Sequence, residues 1–320
     1  MQAMSVSATG ELIWGARQPA ALGPGQVRIR IAAAGVNRAD LLQCQGLYPP
    51  PAGYSDIPGL ECAGEVIEAG ARVTRLAPGM AVCALLAAGG YATEVVCDAR
   101  QVLPLPAGLG MEEGAALPEV FATAWSNLFG LADLREGEKV LVKAGGSGVG
   151  TAAVQLCRAF GSPVFVQVGS DDKLRRCVEL GASGGVNRHT GELSALRDAG
   201  PFDVILDPVA GAGLQATIDL MNDDGRLLII GLLGGRRAEI DVGRLLVKRL
   251  EILGSTLRSQ PIPVKARIMH ELFEHVWPRL ERGDLRPVID AVLPIGQVGE
   301  AHRRLAANAT FGKIVLRVPG

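Results

Sequence analysis

A glycine-rich segment is the part of this sequence whose residue types and spacing point most directly to chemistry. Residues 144–150 run Ala-Gly-Gly-Ser-Gly-Val-Gly, after the strand-like run 140–144 and before apolar residues at helical spacing over 149–160. Small residues between a strand and a helix let the backbone approach a pyrophosphate, and the helix N-terminus supplies unpaired N–H donors. The segment therefore predicts a dinucleotide phosphate site.

Ser147 occupies the place where the plain pattern G-x-G-x-x-G, counted from Gly145 to Gly150, has its second glycine. Its hydroxyl could point at a nicotinamide ribose or a substrate, or it could only stabilise the turn. The residue types leave both interpretations open.

The choice of nicotinamide cofactor depends on the end of the next strand, where an acidic residue would bind the adenosine ribose of NAD. Gly169 and Ser170 stand there, and Lys173 and Arg188 are near enough in sequence to pair with a 2′-phosphate. Residues 171–172 are both aspartate, which suits the first turn of a helix better than ribose binding. NADPH is therefore favoured, although Lys173 on a solvated helix face is the competing interpretation.

Composition excludes several other classes. The chain has 32 basic and 33 acidic residues in 320, so we expect no nucleic-acid partner. Its longest apolar stretch is far shorter than the roughly 20 residues of a membrane helix, and no secretory signal begins it, so we expect a cytoplasmic location. The six cysteines are never two or three residues apart, and no histidine precedes residue 189, so we expect reduced thiols and no metal site.

The elements that position these residues fall into two patterns. Residues 1–118 hold short β-like runs separated by Gly and Pro, which predict a mostly β domain. From residue 119 to 254, a helix is followed by alternating strands and helices, which predict parallel βαβ units in a doubly wound sheet. Residues 255–320 follow, with one helix over 263–281, another over 298–308 and a strand over 313–318.

Several motifs together resemble the zinc-free quinone oxidoreductase branch of the medium-chain dehydrogenase/reductase superfamily, and within it the stress-inducible NADPH:quinone oxidoreductase subgroup. The motifs are Gly35-Val36-Asn37-Arg38-Ala39-Asp40, Pro58-Gly59-Leu60-Glu61, Leu117-Pro118-Glu119, residues 144–155 and residues 308–316. The resemblance implies an α/β fold in which a GroES-like β domain, 1–118 completed by 255–320, accompanies a Rossmann domain, 119–254.

The resemblance also implies which residues hold the cofactor. Asn37 and Thr123 would position the nicotinamide ribose and ring, and the nicotinamide would be surrounded by Leu232, Leu233, Leu257 and Asn308. The pyrophosphate would be bound by Gly145, Ser147, Gly148 and Val149. The adenosine phosphate would be bound by Gly169, Ser170, Lys173 and Arg188. Many relatives carry tyrosine where Arg188 stands. Metal-dependent relatives have cysteine where this chain has Asn37 and histidine where it has Leu60, so zinc chemistry is disfavoured.

Without a metal, the substrate must itself be electrophilic, as quinones and α,β-unsaturated carbonyls are. We expect Tyr48 and Ser147 to face the substrate oxygen and donate hydrogen bonds to it; the alternative for Tyr48 is a partly buried loop aromatic. Asp40 and Glu61 are expected to be structural.

Three functions stay open. The first is NADPH-dependent quinone reduction, the second is reduction of enones and alkenals at the same site, and the third is an NADPH-binding regulatory protein with little turnover. The family resemblance also implies a homodimer, in which the Rossmann sheets of two copies pair through edge strands near 227–253.

Overall fold

A computed structural model describes residues 1–7 and 9–319; Ala8 and Gly320 lie outside the described residues. The chain divides into two units, Met1–Ala122 with Leu257–Gly320 and, inserted between these segments, Thr123–Thr256. We refer to them as unit 1 and unit 2.

The strands are, in chain order, β1 (Gln2–Val6), β2 (Leu12–Ala16), β3 (Gln26–Gly35), β4 (Glu61–Ala69), β5 (Ala81–Leu85), β6 (Glu94–Asp98), β7 (Val102–Pro104), β8 (Val140–Lys143), β9 (Val164–Val168), β10 (Gly184–Asn187), β11 (Phe202–Asp207), β12 (Met221–Ile229), β13 (Glu251–Gly254), β14 (Ile289–Pro294) and β15 (Lys313–Arg317). The α-helices are α1 (Arg38–Cys44), α2 (Met111–Gly114), α3 (Pro118–Trp125), α4 (Gly148–Ala159), α5 (Asp171–Leu180), α6 (Leu214–Ile218), α7 (Val242–Lys248), α8 (Ile262–His275), α9 (Trp277–Glu281) and α10 (Val298–Ala306).

Unit 1 is built on a mixed sheet in the order β14-β15-β3-β4-β5-β7, with β6 pairing β3. Alternate residues of β3, Val27, Ile29 and Ile31, are fully buried, as the period-2 pattern of a half-buried strand requires. The late strand β15 pairs antiparallel with β3, setting Val315 opposite Gly35. This pairing joins the two segments of the unit in one sheet.

Unit 2 contains six parallel strands in the order β10-β9-β8-β11-β12-β13. The residues Val140, Leu141 and Val142 are fully buried, because a central parallel strand is covered on both faces and needs a continuous apolar run. The strand order reverses at β8, and ligands of such sheets bind beyond the carboxyl ends of strands at this point. The glycine-rich segment follows β8 directly.

These observations confirm the predicted fold class, a GroES-like β domain with a Rossmann domain. Two helix predictions differ in detail. The helix predicted from Glu119 is α3, which continues as a π-helical turn, Ser126–Leu131. The single helix expected over 263–281 is two helices, α8 and α9, because Pro278 lacks the N–H that a continuous helix needs there.

Candidate functional site

The glycine-rich turn of unit 2 is held by its own serine. Ser147 is the N-cap of α4: its Oγ accepts a hydrogen bond from the Gly150 N–H at 3.0 Å, and its carbonyl accepts from the Thr151 N–H at 2.8 Å. The N–H groups of Gly148 and Val149 have no intrahelical acceptor at the first turn. A hydroxyl that accepts still keeps its own proton for donation. The turn therefore presents two backbone donors and one hydroxyl donor.

Two glycines of this turn are required by close packing. A Cβ on Gly145 would lie 2.7 Å from the side chain of Val166 on β9, and a Cβ on Gly150 would lie 2.5 Å from the Ala144 carbonyl oxygen. Ala144 itself has a positive φ of 53°. The backbone of strand, turn and helix is thus as compact as pyrophosphate binding requires, and these residues fit a dinucleotide.

The predicted adenosine-phosphate residues lie together at the carboxyl ends of β9 and β10. A Cβ on Gly169 would lie 3.5 Å from a terminal guanidinium nitrogen of the exposed Arg188. Ser170 is the N-cap of α5 and accepts from the Lys173 backbone N–H at 3.2 Å. His189, which the sequence did not single out, accepts from Arg188 Nε at 3.3 Å.

The two aspartates beyond Ser170 are engaged by the protein itself. Asp171 Oδ1 accepts from the Asn187 amide at 2.9 Å, and Asp172 forms a salt bridge of 2.5 Å with Arg175. Both occupy the first turn of α5, where negative charge is favourable.

The remaining predicted residues of unit 2 are accessible. Leu232 and Leu233 are each 52% exposed, in the segment after β12. Thr123 is half-buried, and its carbonyl accepts from the Asn127 amide at 2.8 Å.

A buried ion pair beside the turn was missed at the sequence level. Lys143 Nζ lies 2.8 Å from Asp207 Oδ2 and 3.0 Å from the Thr217 hydroxyl, and both charged side chains are almost fully buried. Asp207 Oδ1 accepts from the N–H groups of Val209 and Ala210, so the pair fixes the loop after β11. A lysine inside an apolar strand was the available signal.

Unit 1 places Asn37 in a second buried polar network. Its Nδ2 donates to Glu61 Oε1 at 2.9 Å, while Lys313 Nζ donates to Asn37 Oδ1 at 2.6 Å and lies 2.6 Å from Glu61 Oε1. The side chains of Lys313 and Glu61 are 3% and 0% exposed. The Glu61 carboxylate is therefore paired with a buried ammonium group of the same chain. The sequence analysis did not predict this partner.

Asp40 is the completely buried neighbour of this network. It accepts from the backbone N–H groups of Asn37 and Gly59 at 2.8 and 3.2 Å, and from the Tyr91 hydroxyl at 2.8 Å. Burial raises the pKa of Asp40 to about 6, against the opposing effect of these hydrogen bonds. Asp40 Oδ2 accepts from the backbone N–H of Asn37, the N-cap residue of α1, so the structural role expected of Asp40 includes helix capping.

Glu119 is a second carboxyl with a strongly altered environment. Its backbone N–H donates to Glu61 Oε2 at 2.9 Å. Its own Oε2 is buried and has no hydrogen-bond partner within the described part of the chain. Burial, followed by the nearby Glu61 charge, raises the pKa of Glu119 to about 8. This carboxyl is therefore mostly protonated at neutral pH.

The other predicted residues of unit 1 have defined surroundings. Tyr48 is half-buried, with the Arg258 guanidinium carbon 5.2 Å from its ring centroid. Burial raises the Tyr48 pKa, and the Arg258 charge opposes this shift. Leu257 is 9% exposed, and Asn308 Oδ1 accepts from Arg38 at 2.7 Å.

No group of three or more His, Cys, Asp or Glu side chains within residues 1–7 and 9–319 could hold a metal ion. A cavity of about 430 Å³ in unit 1 is lined by residues that include Arg17, Tyr54 and Asp98, and none of its described lining residues is a predicted site residue. No helix among the described residues is long and apolar enough to cross a membrane.

Two family models match the chain. The alcohol dehydrogenase GroES-like domain covers residues 23–107, and the zinc-binding dehydrogenase model covers residues 148–274. The synaptic vesicle membrane protein VAT-1 homolog of Rattus norvegicus is 30% identical over 319 residues, which cover 94% of this chain and 79% of that protein. The chain belongs to the medium-chain dehydrogenase/reductase superfamily.

Further relatives narrow the assignment. Quinone oxidoreductase-like protein 2 of Bos taurus is 28% identical over 306 residues, covering 93% of this chain and 86% of that protein. A quinone oxidoreductase from Thermus thermophilus, solved also in complex with NADPH, is 32% identical with a TM-score of 0.84, and the match covers 99% of this chain and 100% of that chain. Within the superfamily, the chain therefore belongs to the quinone oxidoreductase-like branch.

Some relatives are much longer or carry other names. Polyketide synthase GfsB of Streptomyces halstedii is 34% identical over 96% of this chain, but the chain spans only 5% of that protein. The CurK enoyl reductase structure is 25% identical, with a TM-score of 0.86 and 99% of each chain covered. A solved NAD-dependent alcohol dehydrogenase is 31% identical, with a TM-score of 0.85 and both chains covered completely.

Proposed function

We propose that this chain is an oxidoreductase that reduces quinones with NADPH and without a bound zinc ion. The observation that carries the proposal is the network of Asn37, Glu61 and Lys313 in unit 1. Asn37 stands where metal-dependent relatives have a cysteine ligand. A lysine ammonium 2.6 Å from Glu61 supplies positive charge there, and its repulsion disfavours a Zn²⁺ ion at the same carboxylate.

A metal-free site restricts the substrate. When bound, NADPH supplies the hydride. The residues of the chain provide orientation and hydrogen bonds, so the acceptor must be electrophilic without a Lewis acid. The phenol of Tyr48 and the hydroxyl of Ser147 are the donors that we assign to the developing negative charge on the substrate oxygen. Quinones satisfy these requirements.

The surroundings of Gly169 support NADPH over NADH. The guanidinium of Arg188 lies against Gly169, where a bulkier residue would compete with a phosphate for space. Both nearby aspartates have partners in the protein. We assign Gly169, Ser170, Lys173 and Arg188 to the 2′-phosphate, Gly145, Ser147, Gly148 and Val149 to the pyrophosphate, and Asn37, Thr123, Leu232, Leu233, Leu257 and Asn308 to the nicotinamide end.

Steady-state consumption of NADPH tests the proposal with panels of 1,2-quinones, 1,4-quinones and enones, each repeated with NADH. We expect quinone turnover that prefers NADPH and survives preincubation with a zinc chelator. Loss of activity on chelation, restored by Zn²⁺, would refute the metal-free mechanism.

Reduction of enones is the second candidate, favoured by the likeness to the CurK enoyl reductase. It uses the same donors at the same site, so the substrate panel decides: efficient enone turnover without quinone turnover would replace the first proposal. A third candidate, regulatory NADPH binding, predicts fluorescence-detected binding with turnover of neither panel.

We also propose a homodimer formed through the edge of the unit 2 sheet. Among the described strands, β13 pairs only with β12, and α7, which contacts β12, exposes Val242, Leu246 and Val247 at 68%, 79% and 74%. Burial of such an edge and apolar surface on a second copy would remove both from water. Light scattering should give the mass of a dimer, and Leu246→Glu should shift it toward that of a monomer.

A further inference from the structure

Unit 1 contains an arginine whose burial the cofactor and substrate assignments do not explain. Arg258 is 3% exposed. Its Nε donates to the Ala87 carbonyl at 2.7 Å, its Nη1 donates to the Tyr48 carbonyl at 2.8 Å, and its Nη2 donates to the Gln43 side-chain oxygen. Three nitrogens of one planar group thus hold acceptors from three separate segments, a geometry that lysine cannot reproduce.

The guanidinium holds Tyr48 twice. Besides the carbonyl contact, its central carbon lies 5.2 Å from the centroid of the Tyr48 ring, within the range of a cation–π interaction. The backbone and the ring of Tyr48 are therefore fixed by the same rigid group. Fixing both determines the direction in which the phenol hydroxyl points.

The same arginine is tied to the far side of the loop that follows Tyr48. Gln43 accepts from Arg258 and donates its Nε2 to the Asp56 carbonyl at 2.7 Å. Lys265, which is fully buried, donates to the Arg258 carbonyl at 2.6 Å, and its Nζ lies 5.7 Å from the Tyr54 ring centroid. The loop between Tyr48 and Asp56 is thus held at both ends.

Burying two cations is unfavourable, and apolar side chains of similar volume would often stabilise a protein as well. Burial lowers the pKa of both Arg258 and Lys265, which reflects that unfavourable desolvation. What the fold gains from Arg258 is contact with Tyr48, to which we have assigned hydrogen bonding to the substrate. The contacts thus connect the buried charge of Arg258 to Tyr48.

We propose that Arg258 is the positioning residue of the reaction, which holds Tyr48 so that its phenol donates a hydrogen bond to the substrate oxygen. The inference rests on the proposed function, because it takes Tyr48 as the group that faces substrate. Arg258 acts through Tyr48. Lys265 supports it by holding its carbonyl.

A double-mutant cycle tests this coupling. Arg258→Lys keeps the positive charge but loses the planar set of three N–H donors, so we expect kcat/KM to fall by about 10- to 100-fold. In a Tyr48→Phe background, the same substitution should change kcat/KM by less than about twofold, because the group it positions has gone. An equal loss in both backgrounds would show a general structural effect and overturn the proposal.

A matched control and a milder variant keep the test decisive. The control is Arg226→Lys in unit 2, because Arg226 also donates to a backbone carbonyl, that of Ala132, and to a side chain, that of Glu138. This substitution should lower stability without the Tyr48-dependent change in kcat/KM. If Arg258→Lys does not fold, Gln43→Met removes one of the three acceptors and should give a smaller loss that again vanishes with Tyr48→Phe. A Gln43→Met loss that persists in that background overturns the proposal.

Hydrogen exchange separates failure of this inference from failure of the proposed function. Arg258→Lys, or Gln43→Met in its place, should accelerate amide exchange in the peptide spanning residues 43–56, whether or not the protein turns over quinones. Wild-type protein without turnover of quinones or enones would refute the function, and with it the catalytic role of Tyr48. Unchanged amide exchange in this peptide would refute the claim that Arg258 fixes the loop between Tyr48 and Asp56.

Discussion

Glu119→Gln should stabilise the protein at alkaline pH. Glu119 lies in the first turn of α3 with a buried carboxyl oxygen that has no hydrogen-bond partner among the described residues. Burial raises its pKa from 4.5 to about 8. The folded state therefore keeps a proton on Glu119 at pH values where the unfolded chain has released it.

The size of the effect follows from this pKa difference. It is about 3.5 pH units, and each unit corresponds to about 1.4 kcal/mol, so the total is about 5 kcal/mol. The stabilising contribution of a raised pKa is fully present below pH 4.5. It is lost progressively as pH rises, and the loss is complete above about pH 8. Glutamine cannot ionise, so the variant escapes this loss.

Urea unfolding of both proteins across this pH range provides the assay. The difference in unfolding free energy, variant minus wild type, should rise by about 4 kcal/mol of this total between pH 4.5 and 9, because the titrations of other groups largely cancel. The exposed Glu274 supplies the matched control, Glu274→Gln, which removes a surface carboxylate from the same unit. A difference that does not change with pH, or an equal rise in the control, would refute the reasoning.

Other substitutions test the two sites separately. Arg188→Ala should raise the dissociation constant of NADPH by about 10- to 100-fold and leave that of NADH unchanged, because only NADPH carries the 2′-phosphate; fluorescence titration measures both. Gly145→Ala should lower stability by about 1–3 kcal/mol in thermal unfolding, because the methyl group would lie 2.7 Å from the Val166 side chain. Gly130→Ala, where a Cβ meets no other atom within 4 Å, is its control. Asp40→Asn should cost about 2–3 kcal/mol at neutral pH in the same assay, because three hydrogen bonds converge on the buried carboxylate.

The features that the sequence predicted best are local ones. The turn from Ala144 to Gly150 is contiguous, and its flanking apolar patterns identify a strand and a helix without knowledge of the rest of the chain. Gly169 and Arg188 could be associated because they are near in sequence, and the structure adds that they follow the neighbouring parallel strands β9 and β10. Ser147 was ambiguous, since one hydroxyl can both cap a helix and serve a ligand.

The long-range polar contacts could not be predicted from residue types. Arg258 bonds to Tyr48 over 210 positions, and Lys313 bonds to Asn37 over 276. Local sequence around these cations does not identify the partner of either one, because the partner depends on how distant segments pack. Pro278 is a local signal of the break between α8 and α9, and the prediction of one helix over 263–281 did not use it.

The position of Lys313 has a consequence for how the protein is made. A ribosome synthesises Glu61 and Asn37 long before it reaches Lys313, and the whole of unit 2 is translated in the interval. Until Lys313 emerges, the nascent first segment has a carboxylate whose counter-ion does not yet exist and a strand, β3, without its β15 neighbour. Unit 2 is contiguous and can fold on the ribosome. The sheet of unit 1 can therefore be completed only after unit 2 has been synthesised and β15 has emerged.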